Sequence, residues 1–281
     1  MAIRRKIYQA WAYIAHLFTA WNTGGEGIHS PYLFYLVRML IYDENSFYAW
    51  RDIERERRRL LLSDEWVDVQ DFGTGASTPG ETYRRRVRDI ARDSLEQARV
   101  AQILFRLVNY VGHVVQRPLR IVELGTSLGI TTAYLAKADS RNHVTTYEGS
   151  DALVQQARTV WKNLDIRGIE VVEGNIDKTL LPSRYARTRD NIKGEDTTID
   201  IAFLDANHTR EATLRYYHAL QQHASEQSIF VIDDIHHSPE MTEAWREICA
   251  QKEVTTSMDM FYFGLIFFDK HYLKRHYKLR I

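Results

Sequence analysis

The chain has 281 residues, 44% of them hydrophobic, which is long enough for one large domain or for a domain with an appended lobe. Lysine and arginine together number 37, as do aspartate and glutamate, and the resulting net charge of zero argues against a general attraction to nucleic acid. The single cysteine, Cys249, excludes an internal disulfide and suits a reducing cytoplasm.

The first segment is predicted to be an amphipathic helix. Apolar residues recur at helical spacing from Ile3 to Trp21, and Arg4, Gln9 and His16 lie elsewhere on the helix. Polar residues interrupt the run and it is too short to span a bilayer, which argues against a signal peptide and a transmembrane segment. We expect the helix to pack on its own domain or on a partner subunit. Attachment to a membrane surface is the alternative.

The rest of the N-terminal third is also predicted to be mainly helical. Ser30-Pro31 favours a helix start, and the alternating charges from Arg51 to Arg59 are typical of a solvated helix face. The stretch Val69–Ser77 contains two glycines, but Pro79 breaks the chain where a cofactor-facing helix would begin. We interpret it as a structural loop, with a loop that contacts substrate or partner as the alternative. Residues 1–93 are therefore predicted to form a helical extension.

From residue 94 onward the chain alternates strands and helices. Ser94 and Gln97 form a capping-box pattern that predicts a helix start. Strands are predicted near 120–124, 143–148, 169–173, 199–204 and 228–233, with helices near 130–138, 151–164, 209–223 and 239–252. The runs 258–263 and 264–268 are too close for a crossover helix and must form an antiparallel pair or one bent strand. The pattern predicts an α/β domain over residues 94–281 with a doubly wound, mostly parallel sheet. The polar stretch 183–198 is predicted to be a loop.

A glycine-containing turn ends the first of these strands. Gly125 permits a sharp turn with close backbone approach, and Gly129 lets the following helix pack tightly. Thr126 and Ser127 offer hydroxyl and backbone N–H groups at a helix N-terminus, where a carboxylate is stabilised. A single turn of this kind is weak evidence, because any tight turn from strand to helix favours glycine.

Further signals stand at the ends of later strands. Glu148 and Gly149 close the second strand, where a carboxylate can accept hydrogen bonds from both hydroxyls of a ribose. Asp205 closes the fourth strand, and Asp233-Asp234 close the fifth. Ligands of doubly wound sheets bind over the carboxyl ends of the strands, so these residues are predicted to surround one cleft.

In these ordered motifs, the region from residue 94 to 268 resembles class I S-adenosylmethionine-dependent methyltransferases, specifically the small-molecule O-methyltransferases of the catechol O-methyltransferase type. The resemblance implies a Rossmann-like sheet of seven strands with an antiparallel last strand. It also implies that the turn from Glu123 holds the methionine part of S-adenosylmethionine, with Glu123 near its amino group. Glu148 would bind the ribose, and Asn175 and Ile176 would border the adenine.

The aspartates and one histidine suggest the reaction chemistry. Asp205, Asp233 and Asp234 are predicted to converge, and three close carboxylates need a compensating cation or proton. Oxygen ligands favour Mg²⁺, and the resemblance implies a metal at this point, although Asp234 stands where related enzymes carry asparagine. His208 takes the place of a lysine base in the catechol-type enzymes and can remove a hydroxyl proton near neutral pH. A role as metal ligand or in loop hydrogen bonding is the alternative.

The sequence thus predicts a cytoplasmic S-adenosylmethionine-dependent O-methyltransferase that acts on a small molecule. The helical extension would cover the cleft or build a homodimer, and no nucleic-acid partner is expected. Two alternatives stay open: a metal-free enzyme in which the aspartates only orient His208, and an inactive methyltransferase-like binding or scaffold protein. An NAD-dependent dehydrogenase is disfavoured, because the turn reads Gly-x-x-x-Gly and not Gly-x-Gly-x-x-Gly.

Overall fold

The computed structural model describes residues 2–72, 80–180 and 197–281. The chain divides into two units, which we name the middle unit (residues 44–184) and the terminal unit (residues 1–43 and 185–281). Residues 73–77 of the predicted loop at 69–77 and residues 183–196 of the predicted loop at 183–198 lie outside the described residues.

Helices and strands are numbered in chain order. The described residues form α1 (Ala2–Thr19), α2 (Pro31–Ile41), α3 (Tyr48–Leu61), β1 (Trp66–Asp71), β2 (Glu81–Arg86), α4 (Val87–Ser94), α5 (Ala98–Val115), β3 (Arg120–Leu124), α6 (Ile130–Ala138), β4 (His143–Glu148), α7 (Asp151–Asn163), β5 (Ile169–Glu173), α8 (Ile176–Thr179), β6 (Ile199–Leu204), α9 (Arg210–Gln221), β7 (Ala224–Asp233), α10 (Pro239–Ala250), β8 (Thr256–Asp259), β9 (Phe263–Phe267) and β10 (Arg275–Lys278). The predicted alternation of strands and helices from residue 120 onward is confirmed.

The middle unit contains three parallel strands and an antiparallel hairpin. Strand β4 pairs with both β3 and β5, and β1 pairs with β2 as the hairpin. The crossovers α6 and α7 pack together with α3 and α5 around a core that includes Trp50, Phe105, Tyr134 and Trp161. Helices α3, α5 and α7 pack through an apolar stripe on one face, whereas α6 is buried on nearly all sides.

The terminal unit contains five strands in the order β10-β8-β9-β7-β6. Strands β6 and β7 are parallel, and β9 runs antiparallel to both β7 and β8. Every residue of β6 is buried, as a nearly continuous apolar run favours for a parallel strand covered on both faces. Of the two alternatives for the runs 258–263 and 264–268, the antiparallel pair is confirmed: it is formed by β8 and β9.

The predicted fold class is confirmed, with one correction to the strand count. The main sheet has eight strands and not seven, because β10 adds to β8 in parallel near the C-terminus. The sequence Arg-His-Tyr-Lys of β10 shows no apolar alternation, and only Tyr277 is buried. An edge strand of this composition gives almost no periodic signal.

One local prediction in the middle unit is wrong. Ser94 ends α4 and donates a hydrogen bond to the Ile90 carbonyl, so it does not cap the next helix. Helix α5 begins at Ala98 after Gln97, which makes no side-chain cap. The hairpin β1–β2 was not predicted from the sequence. The division between residues 93 and 94 stays a prediction.

Helix α1 packs on the terminal unit through its polar face. His16 is 4% exposed and the Tyr8 hydroxyl donates to Thr242 Oγ1, whereas Trp11 is 73% and Phe18 76% exposed. The expectation that the helix packs on its own domain is therefore confirmed, and the contacts are made by its polar face. Hydrogen bonds from Tyr8 to Thr242 and from His16 Nε2 to the Leu279 carbonyl lower the cost of burying this polar face. None of the described helices is long and apolar enough to cross a membrane.

Candidate active site

The turn after β3 adopts a conformation that requires glycine at two positions. Gly125 has a φ of 98° and Gly129 a φ of 75°, both in the left-handed region. The backbone N–H groups of Gly125 and Thr126 donate to the Tyr147 carbonyl at 3.0 and 3.2 Å. A Cβ added at Gly129 would lie 2.7 Å from the Cβ of Ala157, so this glycine lets α6 pack directly on α7.

Glu123 is fully buried beneath this turn. Its Oε2 accepts hydrogen bonds from Thr132 Oγ1 at 2.5 Å and from Thr146 Oγ1 at 2.6 Å. Burial raises the pKa of Glu123 to about 7, although both threonine hydroxyls act in the opposite direction. Among the described residues, Oε1 has no hydrogen-bond partner. A buried acceptor without a partner is costly and fits a donor such as an ammonium group.

Glu148 links the turn after β3 to the one after β4. Its Oε2 accepts from the Ser127 N–H at 2.8 Å and its Oε1 from the Ser150 N–H at 2.9 Å. Each carboxylate oxygen can accept more than one hydrogen bond, so hydroxyl donors can still be bound. The next residue, Gly149, lies against the ring of Phe72, since an added Cβ would be 2.5 Å from Phe72 Cδ2.

The residues predicted to border the adenine lie at the end of β5. The N–H of Gly174 donates to the Glu148 carbonyl at 2.8 Å, which holds this turn beside β4. Asn175 caps α8 by accepting the Asp177 N–H at 2.9 Å, and Ile176 begins that helix. The structure thus brings the predicted cofactor residues of the middle unit to neighbouring strand ends.

Two contacts of this region were not predicted from the sequence. Ser94 Oγ lies 2.8 Å from Ser127 Oγ, and the Gln70 N–H donates to Ser150 Oγ at 3.2 Å. Together with Phe72, they place the hairpin and the end of α4 against the turns after β3 and β4. The alternation of Val67 and Val69 with polar residues is the signal that could have identified β1.

In the terminal unit, the turns after β6 and β7 form a group that we name the open cluster: Asp205, His208, Asp234 and His237. His208 Nε2 lies 3.4 Å from Asp205 Oδ1, and His208 Nδ1 lies 3.7 Å from Asp234 Oδ2. His237 Nδ1 lies 3.0 Å from the same Asp234 oxygen. His208 and Asp234 have φ values of 33° and 54°, a strained backbone that is often found at functional sites.

The electrostatics of the open cluster favour a neutral His208. Burial lowers the pKa of His208; Asp234 opposes this, whereas His237 and Arg5 lower it further. Burial acts to raise the pKa of Asp234, but the hydrogen bond from His237 and the nearby positive charges lower it overall. An unprotonated imidazole beside two carboxylates is equipped to accept a proton.

The three predicted metal ligands do not form one compact group. In the part of the chain that is described, Asp205, Asp233 and Asp234 are not among the sets of side chains whose ligand atoms all lie within 4.8 Å of one another. Asp233 is buried, whereas Asp234 pairs with His237. This arrangement does not fit an oxygen-only Mg²⁺ site, because Mg²⁺ demands near-ideal octahedral geometry.

Helix α1 also contributes to the open cluster. Gln9 Nε2 lies 3.4 Å from His237 Nδ1, and the guanidinium of Arg5 lowers the pKa values of both His208 and Asp234. Neither residue was predicted to have a role. No motif connects them to the strand ends, so only the tertiary packing of α1 reveals the contact.

Residues 122–235 match a family model described as a methyltransferase domain. The matched segment begins in β3 and ends after β7, so it spans Glu123, Glu148 and the open cluster up to Asp234. No curated protein matches the sequence.

Several solved structures share the fold at low sequence identity. The O-methyltransferase TomG from Streptomyces achromogenes, in complex with SAM, is 16% identical with a TM-score of 0.54 over 83% of this chain and 94% of that one. The O-methyltransferase from Bacillus cereus, in complex with SAH, is 16% identical with a TM-score of 0.53 over 83% and 95%. The SAH-bound methyltransferase PaMTH1 from Podospora anserina is 12% identical with a TM-score of 0.51 over 86% and 96%.

Residues 122–235 are therefore similar to a methyltransferase domain, and the solved structures share the Rossmann-like fold that the sequence predicts.

Proposed function

We propose that this methyltransferase uses S-adenosylmethionine to methylate a hydroxyl group of a small molecule, with His208 as the general base. The observation that carries the proposal is the open cluster, in which a histidine with a lowered pKa lies beside Asp205 and Asp234. An O-methyltransferase needs a group that takes a hydroxyl proton at neutral pH, and such an imidazole can take it.

The middle unit supplies the groups that would bind the donor. The free Oε1 of Glu123 would accept a hydrogen bond from the ammonium group of the methionine part. Glu148 would accept hydrogen bonds from the ribose hydroxyls, while Asn175 and Ile176 would border the adenine. Thr126 and Ser127 would offer donors to the carboxylate at the start of α6. The SAM complex of TomG and the SAH complex of the Bacillus cereus enzyme support this choice of cosubstrate.

The reaction is a single displacement. His208 takes the hydroxyl proton, the oxygen lone pair forms a bond to the methyl carbon, and the carbon–sulfur bond breaks with its electron pair passing to sulfur. The products are a methyl ether and S-adenosylhomocysteine, and the proton leaves later from the imidazolium. Asp205 and Asp234 stabilise the positive charge that His208 acquires in this step.

Assistance by Mg²⁺ stays a prediction from the family resemblance. The positions of Asp205, Asp233 and Asp234 do not favour it, so no step of the proposed reaction depends on a metal. Assays of chelator-treated protein with and without added Mg²⁺ test this point. Equal rates support the metal-free reaction, and a rate restored only by Mg²⁺ contradicts it.

Two finer parts of the proposal concern assembly and location. The exposed apolar face of α1, with Trp11 and Phe18, and Trp21 just after the helix are proposed to be buried against a second copy in a homodimer. Sedimentation of the protein and of a Trp11→Glu/Phe18→Glu variant tests this, because only the first should dimerise. The single cysteine, Cys249, supports a reducing cytoplasmic location, which cell fractionation tests.

Calorimetric titration of S-adenosylmethionine into the full chain tests the donor. We expect saturable binding by the unaltered protein and at least tenfold weaker binding by Glu148→Gln, which keeps the shape but not the charge. Arg141→Gln is a matched control on the surface of the same unit. Absence of binding by folded protein would overturn the proposal. If the protein binds S-adenosylmethionine but methylates no catechol, phenol or sugar, only the part of the proposal that concerns the donor would stand.

A further inference from the structure

A second group of titratable side chains lies apart from the open cluster. It consists of His16 on α1, His236 in the turn between β7 and α10, and Asp259 at the end of β8, and we name it the closed cluster. All three belong to the terminal unit, and their ligand atoms lie within 4.8 Å of one another. Their side chains are only 4%, 13% and 2% exposed.

Each histidine makes a hydrogen bond on the side that faces away from Asp259. His16 Nε2 lies 2.9 Å from the Leu279 carbonyl, which can only accept, so Nε2 carries the hydrogen. His236 Nδ1 lies 3.0 Å from Thr242 Oγ1, whose own hydrogen is directed to the Ile235 carbonyl. Nδ1 of His236 therefore carries the hydrogen as well.

When both imidazoles are neutral, these bonds leave their inner nitrogens with lone pairs directed at one carboxylate. His16 Nδ1 lies 3.4 Å from Asp259 Oδ1, and His236 Nε2 lies 2.9 Å from Asp259 Oδ2. In the described part of the chain, His16 Nδ1 has no hydrogen-bond partner although it is buried. Acceptors that face one another in a buried site repel unless a positive charge lies between them.

We propose that His16 Nδ1, His236 Nε2 and Asp259 bind a divalent transition-metal ion of the zinc type. Two imidazoles and one carboxylate are a ligand set that such ions accept, whereas Mg²⁺ and Ca²⁺ prefer oxygen alone. Metal–nitrogen bonds of about 2 Å in a tetrahedral site place ligand atoms about 3.3 Å apart, close to the two separations in this cluster. No carboxylate of the open cluster takes part.

The hydrogen bonds of His16 to Leu279 and of His236 to Thr242 also fit a metal site. A histidine that ligates a metal almost always donates its other N–H to a carbonyl, carboxylate or similar group, which fixes the ring. His16 does so to Leu279, and His236 does so to Thr242, which in turn accepts from Tyr8. Phe261 covers the site, with its ring 5.3 Å from that of His236 and 5.5 Å from that of His16.

The role that follows is structural. The ion would join α1 near the N-terminus to residues 236 and 259, more than 200 positions away in the sequence. A ligand that binds only the folded chain stabilises it, so the ion would hold α1, with Arg5 and Gln9, beside the open cluster. The inference does not depend on the proposed methyl transfer.

Metal analysis of the full chain tests the inference. We expect about one equivalent of Zn²⁺ to bind after chelator treatment and dialysis, and Co²⁺ to bind in its place with a visible absorption band of nitrogen ligation. His16→Gln and Asp259→Asn should each lose the band and weaken Zn²⁺ binding at least tenfold. His29→Gln, an exposed histidine of the same unit, is the matched control.

Circular dichroism of each variant shows whether a loss of metal reflects a loss of fold. If the single variants unfold, the unaltered chain still decides the question through its Zn²⁺ stoichiometry and its Co²⁺ spectrum. A folded unaltered protein that binds neither Zn²⁺ nor Co²⁺ would overturn the inference. Protons shared between the two histidines and Asp259 would then hold the closed cluster together. Variants that bind Co²⁺ with an unchanged spectrum would overturn it as well.

Discussion

The two histidine–aspartate clusters of the terminal unit contain similar groups in different surroundings. The side chains of the open cluster are 20% to 36% exposed, whereas those of the closed cluster are 2% to 13% exposed. His236 and His237 are neighbours in the sequence, yet the first belongs to the closed cluster and the second to the open one. Residue type alone therefore does not decide what such a cluster does.

The two clusters differ in their access to solvent and in how firmly partner groups hold their side chains. In the closed cluster every ring nitrogen faces an acceptor, so the rings are held and no substrate can reach them. In the open cluster, His208 contacts Asp205 and Asp234 only at 3.4 and 3.7 Å and is partly exposed. Loose contacts and solvent access suit a group that must exchange a proton with a bound molecule.

The largest predicted effect is a loss of catalytic rate when the open cluster is altered. His208→Gln should lower kcat by roughly 10²- to 10⁴-fold, because general-base catalysis typically contributes that much. The affinity for S-adenosylmethionine and the thermal midpoint should change little. Steady-state kinetics, calorimetry and a thermal melt measure the three quantities.

Arg210→Gln, which breaks a surface ion pair with Glu247, serves as the rate control in the same unit. A His208→Gln enzyme that keeps its full rate would exclude this residue as the base, and the open cluster would then differ from the closed one only in exposure.

For the closed cluster we predict the opposite: a loss of stability with little effect on the rate. His16→Gln should lower the free energy of unfolding by about 1 to 3 kcal/mol, because it removes a partner of the buried Asp259 carboxylate and the hydrogen bond to the Leu279 carbonyl. Well below the unfolding transition, kcat should be much less affected than by His208→Gln. Urea unfolding of this variant and of His29→Gln measures the difference. Equal stability of the two variants would mean that the closed cluster does not hold α1.

The sequence predicts the open cluster far better than the closed one. Asp205, His208 and Asp234 end strands whose apolar runs are visible in the sequence, so strand order alone brings them together. His16 is separated from its partners by more than 200 residues and lies on the face of α1 that looked solvent-exposed. Only the packing of α1, β8 and the turn after β7 places these side chains together, and no periodicity contains that information.

In the middle unit, too, the sequence predicts the features that leave a local signal and misses those that depend on tertiary packing. The glycine turn and Glu148 were predictable, because φ above zero and a strand-end acid leave direct signals. The hairpin that brings Phe72 to Gly149 was not, because only Val67 and Val69 alternate with polar residues in β1 and we interpret the stretch that follows as a loop. The site residues themselves stay predictions until they are substituted.

Glu123 extends the comparison to a carboxyl without a basic partner. Burial acts to raise the pKa of both Glu123 and Asp259, but His236 and His16 lower that of Asp259 overall, whereas Glu123 reaches about 7. If the ionised form holds the ammonium group, the affinity for S-adenosylmethionine should fall at least tenfold between pH 7.5 and pH 5.5, where most of the ligand's amino group is protonated. Calorimetry at both pH values measures this, and Glu123→Gln should remove the fall. A wild-type affinity that is constant over this range would exclude the contact.

The same pKa sets the sign of a stability change. A carboxyl whose folded pKa is raised from 4.5 to about 7 holds its proton more tightly in the folded state. Its contribution to stability is therefore complete below pH 4.5 and is lost as the pH rises through 7. Without ligand, Glu123→Gln should thus gain stability relative to the unaltered protein as the pH rises from 5 to 8, and urea unfolding at the two pH values measures it.

The smallest effect is predicted at Phe72, which touches neither cluster. Its ring lies against Gly149, next to the carboxylate proposed to bind the ribose. Phe72→Ala should weaken binding of S-adenosylmethionine by roughly fivefold, about 1 kcal/mol, because a partly buried aromatic contact contributes that much. The rate at saturating donor should stay the same, since no reacting atom loses a partner. Phe72→Leu should restore most of the affinity, because an apolar side chain against Gly149 is what the contact requires. A Phe72→Ala variant with a lower kcat and unchanged affinity would instead assign the hairpin to the acceptor.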